Sequence, residues 1–277
     1  MQPDVIGFIL AAGFGTRLKP FTHYTPKALV PVLDRVLADW ALRMLQHAGI
    51  SRIGINAHHH ADQIARYAVE NRLTCFAEPA ILGTGGYLNN LDGFLDRTMV
   101  VINCDAIFPE PGQLIAELVE RQREMHVPVT LVLRPRHKES TATGFSVAGN
   151  HVWSMDGGDW MFTGMYAATP GVLQEIQGPD IVPVFRKLAA ENRLGAVTWQ
   201  GDWVDGGTPQ GLVMLHRLLT DQQNYVYPGA WVAEDAVLER SVVYGNATVN
   251  PGARLTDSVV FSGTVSEGEI LERCVRV

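Results

Sequence analysis

The segment that most restricts the fold runs from Tyr227 to Val277, because it repeats itself every 17 residues. Tyr227 matches Tyr244, Ala230 matches Ala247, and Val232 matches Val249. Ala236 matches Ala253, Leu238 matches Leu255, and Ser241-Val242-Val243 matches Ser258-Val259-Val260. A third, degenerate copy opens at Phe261 and closes on Cys274-Val275-Arg276-Val277. Within a copy, small and apolar residues recur every six positions, as in Ala230 and Ala236 or Val232 and Leu238. Three sixes less one residue make one triangular turn of chain, so the spacing predicts about three coils of a parallel β-helix. An antiparallel meander, the competing arrangement, does not require such regular spacing. Neighbours on a strand point to opposite faces, so one member of each pair Val242-Val243 and Val259-Val260 is expected to face solvent or a partner.

Before the repeat, strand and helix patterns alternate. Strands are predicted over Val5–Ala11, Arg52–Ala57, Leu73–Ala77, Thr98–Asn103 and Val127–Leu133. Leu37, Trp40, Ala41, Met44, Leu45 and Ala48 recur at helical spacing and Gly49 closes that helix. Further helices are predicted over Asp62–Glu70, Gly86–Leu95, Gln113–Met125, Ile181–Asn192 and Thr208–Asp221, the last with Thr208 as N-cap and Pro209 at its first position. Short β pieces broken by glycine fill 144–168. The rhythm predicts an α/β, doubly wound, mostly parallel sheet. The expected division is a catalytic domain at 1–222 and a tail at 223–277.

Composition narrows the possible functions. Of 277 residues, 47% are hydrophobic and 18% charged, enough to build a core and too apolar for a disordered chain. The net charge of −7 disfavours nucleic acid as a partner, since phosphate contacts need basic surface. Cys75, Cys104 and Cys274 are far apart and form no CxxC pair, which fits a reducing compartment. No basic stretch precedes the apolar run from Val5, and no run approaches the roughly 18 apolar residues of a membrane span. A cytoplasmic protein with no membrane partner is expected.

The strongest chemical signal is Leu10-Ala-Ala-Gly-Phe-Gly-Thr-Arg-Leu-Lys-Pro-Phe-Thr, followed by Thr25-Pro-Lys-Ala-Leu-Val-Pro-Val. A glycine-rich loop after a first strand lets backbone N–H groups approach phosphate oxygens. Gly13 and Gly15 permit the approach, Arg17 adds a forked cation and Lys27 a mobile point charge. The loop closes with no G-K-[ST], so it is not a Walker loop, and it is not GxGxxG.

These residues resemble the signature of sugar-1-phosphate nucleotidylyltransferases, L-A-A-G-x-G-T-R-L-x-P followed by P-K. The rest of the chain agrees in order. Leu82-Gly-Thr-Gly-Gly resembles the base-reading loop, and Asn103-Cys-Asp105 stands where the family has its first metal motif. Phe162-Thr-Gly-Met-Tyr resembles the sugar-side strand, and Trp203-Val-Asp-Gly-Gly-Thr-Pro the second metal motif. The likeness covers residues 5 to 215. Thr25-Pro-Lys-Ala-Leu-Val-Pro-Val and Gly144-Phe-Ser-Val-Ala-Gly carry a closer likeness to the short bacterial N-acetylmuramate-1-phosphate uridylyltransferases.

The resemblance implies a Rossmann-like nucleotidyltransferase sheet with a short C-terminal left-handed parallel β-helix of hexapeptide kind. It implies transfer from an NTP to a sugar 1-phosphate, with UTP ahead of GTP. Arg17, Lys27, Asp105 and Asp205 are the implied catalytic residues, with Mg²⁺ held by Asp105 and Asp205. Nucleotide contacts are implied at Leu10, Ala11, Ala12, Gly13, Gly15, Thr16, Glu78, Gly83 and Thr84. Sugar contacts are implied at Asn103, Gly144, Thr163 and Gly164. Glu78 suits a base edge with N–H donors, that of uracil or guanine. Cys104 replaces the family's usual glycine and reads as packing. The sugar-phosphate clamp has no obvious counterpart; Arg186 and Lys187 are the nearest candidates. His58-His59-His60 cannot turn three rings to one ion from a strand, and Trp199, Trp203 and Trp231 read as packing. A hexapeptide acyltransferase is disfavoured by so short a tail with no His after His216. A GTP-dependent mannose-1-phosphate-type guanylyltransferase and a catalytically silent nucleotide-sugar sensor are the competing functions. A homo-oligomer, a dimer through the tail, is expected because an open coil end exposes apolar surface, the alternative being a tail that packs back on the catalytic domain of its own chain.

Overall fold

The computed structural model describes residues 4–91, 93–137, 140–176 and 178–277. They form two compact units: one from the described residues up to Phe14 and Ala38–Trp203, the other from Gly15–Leu37 and Val204–Val277.

The first unit is organised by one sheet. Its strands are β1 (Val5–Leu10), β2 (Ile53–Ala57), β3 (Thr74–Ala77), β4 (Thr98–Asn103), β5 (Val129–Pro135), β6 (Ser146–Ala148), β7 (His151–Ser154), β8 (Trp160–Ala168) and β9 (Leu194–Thr198). Their order in space is β3-β2-β1-β4-β8-β5-β9-β7-β6. The pairings among β1–β4 and between β5 and β9 are parallel. β8 and β7 run against their neighbours. The helices are α1 (Leu37–His47), α2 (Ala61–Glu70), α3 (Leu114–Met125) and α4 (Val182–Ala190). β1 is apolar along its length and β4 between its end residues Thr98 and Asn103, as in strands covered on both faces. Phe8 stacks on Tyr87 at 4.9 Å between ring centroids, and the Tyr87 and Tyr166 hydroxyls meet at 2.8 Å.

Register then sets the functional edge. Leu10 pairs with Asn103, so β1 and β4 end level and their following residues leave the sheet together. The Cys104 amide donates to the Leu10 carbonyl at 3.1 Å and holds that edge. β8 against β5 shifts register between Phe162 and Tyr166, the kind of irregularity that re-aims side chains beside a site. The helix expected over 86–95 is instead a one-turn helix, Gly83–Gly86, and a 3-10 turn, Tyr87–Asn90. Glycines stabilise helix poorly, and the Gly85 and Gly86 amides bond outward to the Pro179 carbonyl at 2.8 and 3.3 Å.

The second unit holds α5 (Pro209–Leu219) and the tail strands β10 (Tyr225–Val226), β11 (Trp231–Val232), β12 (Val237–Glu239), β13 (Val242–Val249), β14 (Arg254–Thr256), β15 (Val259–Val265), β16 (Ile270–Glu272) and β17 (Val275–Arg276). Every tail pairing is parallel: β10 and β11 lie on β13, β13 on β15, β15 on β17, and β12, β14 and β16 form a second ladder. This is a parallel β-helix. The first coils pair with an offset of 17 residues, as Tyr225 with Val242 and Val242 with Val259. After a register shift between Val243 and Asn246 the offset is 16, as Leu255 with Leu271. The degenerate third repeat is therefore one residue shorter. Val243, Ala247, Val249, Leu255, Val260 and Val265 fill the interior.

One expectation fails here. Val242 and Val259, the members turned away from that interior, are 1% and 2% exposed. They are neither solvated nor left for a partner, and Val259 lies on β15, which packs against α5 of the same chain. Trp231, expected to pack, is 52% exposed.

Matched repeat positions become a stack of rings. Tyr227 stacks on Tyr244 at 4.5 Å and Tyr244 on Phe261 at 4.6 Å, with Phe21 edge-on to Phe261. His216 of α5 lies edge-on to Tyr244 and Phe261. Its Nδ1 is 2.7 Å from the Leu212 carbonyl, an acceptor only, so that nitrogen carries the proton. Nε2 then accepts from the Tyr244 hydroxyl at 2.8 Å, while that oxygen accepts from the Leu33 amide at 2.8 Å. A buried charge knot lies beside this relay. Asp257, 5% exposed, accepts from Arg240 Nε at 2.7 Å and lies 3.2 Å from Arg217 Nε. The Arg240 bond, with the neighbouring arginines, holds its carboxyl below the usual carboxylate range.

Burial pushes the His216 imidazole down to about 4. The unfolded chain protonates near the ordinary value of about 6.5, so stability is fully present above that pH and is lost as pH falls toward 4. The full loss is about 3 kcal/mol. Melting curves from pH 7.5 to 4.5 should show Tm falling across this window. His216→Gln, which can still donate to Leu212 and accept from Tyr244, should lower Tm at pH 7.5 but flatten that fall. An equally steep fall in the variant would show that His216 is not its source.

Candidate active site

The first unit supplies a frame built around Asn56. β2 reads Ile53-Gly-Ile-Asn56-Ala, apolar except at Asn56, which is 3% exposed. Its Oδ1 accepts from the Ala11 amide at 2.6 Å and the Ala12 amide at 3.2 Å. Its Nδ2 donates to Glu78 Oε1 at 2.7 Å, and Glu78 Oε2 accepts from the Leu82 amide at 2.9 Å. One amide thus joins the loop after β1 to the loop after β3. The resemblance placed Glu78 on the base. In the structure it is 4% exposed, and its two carboxylate oxygens accept from Asn56 Nδ2 and the Leu82 amide. The amides of Ala11 and Ala12, and the carbonyl of Leu10, are likewise used by the frame. The open backbone of the loop begins at Gly13, where nothing lies within 4 Å of a Cβ position. The adjacent histidines serve as loop: His58 Nδ1 bonds the Glu78 carbonyl at 2.8 Å, and Phe14 sits edge-on to His58 and His59.

Of the residues expected on the sugar side, Asn103 lines a cavity of about 280 Å³ in the same unit, with Leu10, Thr84, Phe162 and Asp180 also in its lining. Thr84 donates to Asp180 Oδ1 at 3.2 Å and accepts from the Ile181 amide at 3.2 Å. Gly164 faces Asn103, since a Cβ there would come 2.9 Å from Nδ2. Gly144 packs on Gly158 beside the lining residues Thr143 and Phe145. Thr163 is 1% exposed and its hydroxyl donates to the Val132 carbonyl at 2.8 Å. Asp105 follows β4 and is 7% exposed. Lys187 is paired with Glu175, and Arg186 lies 4.0 Å from Asp156.

The second unit carries the cations. Gly15 has φ +62°, and a Cβ there would meet Thr22 Cγ2 at 2.8 Å and Lys27 Cβ at 2.9 Å, so only glycine allows the turn. Thr16–Leu18 and Lys27–Leu29 are 3-10 turns that place Arg17 and Lys27. Arg17 Nη1 lies 3.2 Å from Asp205 Oδ2, and the Gly207 amide donates to Asp205 Oδ1 at 2.9 Å. This pair is 58% and 39% exposed, so it contributes at most about 1 kcal/mol and opens readily to a ligand. Behind Asp205, Thr208 caps α5 by accepting from the Gly211 amide at 2.9 Å. Gly211 admits that close approach, since a Cβ would fall 1.7 Å from the Asp205 carbonyl oxygen. Asn56 and Asp180 were not among the sequence candidates. The signal for Asn56 is a lone amide in an apolar strand, and for Asp180 a carboxylate just before a helix.

Comparison with known proteins agrees with this geometry. Residues 6–222 match the nucleotidyl transferase family model, and the chain belongs to that family. It is 27% identical to the N-acetylmuramate alpha-1-phosphate uridylyltransferase of Caulobacter vibrioides, over 79% of this chain and 99% of that one. It is 26% identical to mannose-1-phosphate guanylyltransferase 1 of Arabidopsis thaliana, over 96% of this chain and 79% of the relative. The fold is shared with a Bacillus anthracis structure described as a glucose-1-phosphate thymidylyltransferase. The TM-score is 0.70 at 21% identity, covering 79% of this chain and 96% of that one.

Asn56→Ala removes three bonds and strands two amides and one oxygen of a buried carboxylate. It should destabilise the protein by about 2–4 kcal/mol, read by urea unfolding. A change below about 1 kcal/mol would mean water replaces the amide at no cost.

Proposed function

We propose that the protein transfers a nucleotidyl group from UTP to a sugar 1-phosphate, forming a UDP-sugar and pyrophosphate. A phosphate oxygen of the sugar 1-phosphate attacks the α-phosphorus in line; the bond to the bridging oxygen breaks and pyrophosphate leaves with the electron pair. No covalent enzyme group is needed, so positioning and charge neutralisation carry the rate. Membership of the nucleotidyl transferase family over 6–222 carries this reading. UTP is favoured by the Caulobacter relative, and GTP is the second choice through the guanylyltransferases.

Residues 1–222 carry the chemistry in this reading, and residues 223–277 are the tail. Arg17 and Lys27 neutralise the triphosphate, and the backbone from Gly13 to Thr16 approaches it. Gly83 and Thr84 lie toward the base, and Asn103, Gly144 and Gly164 toward the sugar. Asp105 and Asp205 would hold Mg²⁺. Among the described residues no group of three or more His, Cys, Asp or Glu forms a metal site. Two carboxylates still fit this ion, because Mg²⁺ takes hard oxygen ligands and completes its shell with water and substrate phosphate. When bound, it supplies charge neutralisation at the phosphates.

The test is pyrophosphate release with each of four NTPs and a panel of sugar 1-phosphates. UTP should give the highest kcat/KM. Asp105→Asn and Asp205→Asn should each lower kcat by about 10²-fold or more with the fold intact by circular dichroism. Best use of ATP or CTP, or near-normal turnover in either variant, would refute the corresponding assignment.

A dimer through the tail is supported by Trp231, Val237 and Ile270, which are 52%, 39% and 63% exposed. Light scattering at micromolar concentration should give twice the chain mass, and Ile270→Glu should give a monomer. A wild-type monomer would refute the dimer.

A further inference from the structure

The cavity of the first unit carries more information than the presence of a sugar site. Its inner wall is Phe145, Met155, Phe162, Val182 and Phe185. Phe162 and Phe185 meet edge to face at 5.9 Å, and Tyr166 closes on Phe185 at 5.6 Å. Tyr166 turns its hydroxyl to Tyr87 at 2.8 Å, so it adds ring surface to this wall and no polar group. A sugar ring can lay only its C–H face on such a wall, because hydroxyls turned toward it would lose water without recovering bonds. A methyl group gains the whole transfer free energy.

The rim has one sign of charge. Asp180 is the only charged side chain among the described lining residues. Its Oδ1 accepts from the Thr84 hydroxyl at 3.2 Å and the Val182 amide at 3.0 Å. Described cations close by in sequence are engaged elsewhere. Arg136 gives Nη1 to the Gly158 carbonyl and Nη2 to the Ser140 carbonyl. Arg186 faces Asp156 and Lys187 faces Glu175. An acceptor with a carboxylate on its ring would bring that charge beside Asp180, against like charge and with no cation among the described lining residues to receive it.

We infer that the acceptor is a sugar 1-phosphate with an uncharged ring bearing an N-acyl or similarly apolar substituent, and that Asp180 excludes ring carboxylates. This rests on the nucleotidyl-transfer reading above and divides the substrates of that reaction. It separates this chain from its Caulobacter relative, whose named substrate is an N-acetylmuramate phosphate.

The experiment compares kcat/KM for three acceptors with the preferred NTP: glucose 1-phosphate, N-acetylglucosamine 1-phosphate and N-acetylmuramate 1-phosphate. The second differs from the first by the acyl group, and the third from the second by a lactyl ether that carries the carboxylate. N-acetylglucosamine 1-phosphate should exceed each of the others by at least about tenfold. The lactyl amide of the third compound, equal in size but neutral, should recover most of the difference. Asp180→Asn retains Oδ1 for Thr84 and Val182, and should narrow the ratio of second to third acceptor several-fold through KM. The inference is overturned if the carboxylated acceptor is used as well as the neutral one, if the amide is as poor as the acid, or if Asp180→Asn leaves the ratio unchanged. Absence of pyrophosphate with every acceptor and every NTP is a different failure, that of nucleotidyl transfer itself.

Discussion

The site depends first on the side-chain amide of Asn56. A loop that leaves a parallel strand has backbone donors with no ladder partner, and burying them unpaired costs about 1–3 kcal/mol each. Asn56 takes two such donors on one oxygen and gives a proton to Glu78, which in turn takes the Leu82 amide. An aspartate could not donate to Glu78, and an aliphatic residue could do neither. The residue type is dictated by donor and acceptor counting. It fixes the loops after β1 and β3 relative to each other within the first unit.

The second unit solves a comparable problem with rings. The tail repeats place Tyr227, Tyr244 and Phe261 one above another, and stacking at 4.5–4.6 Å turns sequence periodicity into a rigid spine. Tyr244 satisfies a backbone amide of the Gly15–Leu37 segment and the His216 ring of α5 with one hydroxyl. The segment bearing Arg17 and Lys27 is thereby anchored on the tail, so the tail serves as support for the cation loop as well as an appendage.

Much of this was legible in the sequence because it rests on period or composition. The 17-residue offset predicts the parallel coils, and the apolar runs predict strands covered on both faces. Thr208-Pro209 predicts the cap of α5, which is observed. What was illegible rests on contacts distant in sequence. The burial of Val259 depends on where α5 lies, and a strand pattern cannot report which element covers its outer face. The bond between Glu78 and Asn56 joins residues 22 apart in sequence, and that between the Thr163 hydroxyl and the Val132 carbonyl joins residues 31 apart, so no local pattern announces either.

The Arg17–Asp205 pair has a thermodynamic corollary. The two side chains neutralise each other at 3.2 Å in an exposed position. Any anion that draws Arg17 away takes this cation from Asp205, and any cation that occupies Asp205 takes this carboxylate from Arg17. The two events share the cost of opening this pair, so whichever ligand arrives first meets that cost and the second does not. Anion affinity and cation affinity at this loop are therefore coupled with positive sign, and by linkage each raises the other by the same factor.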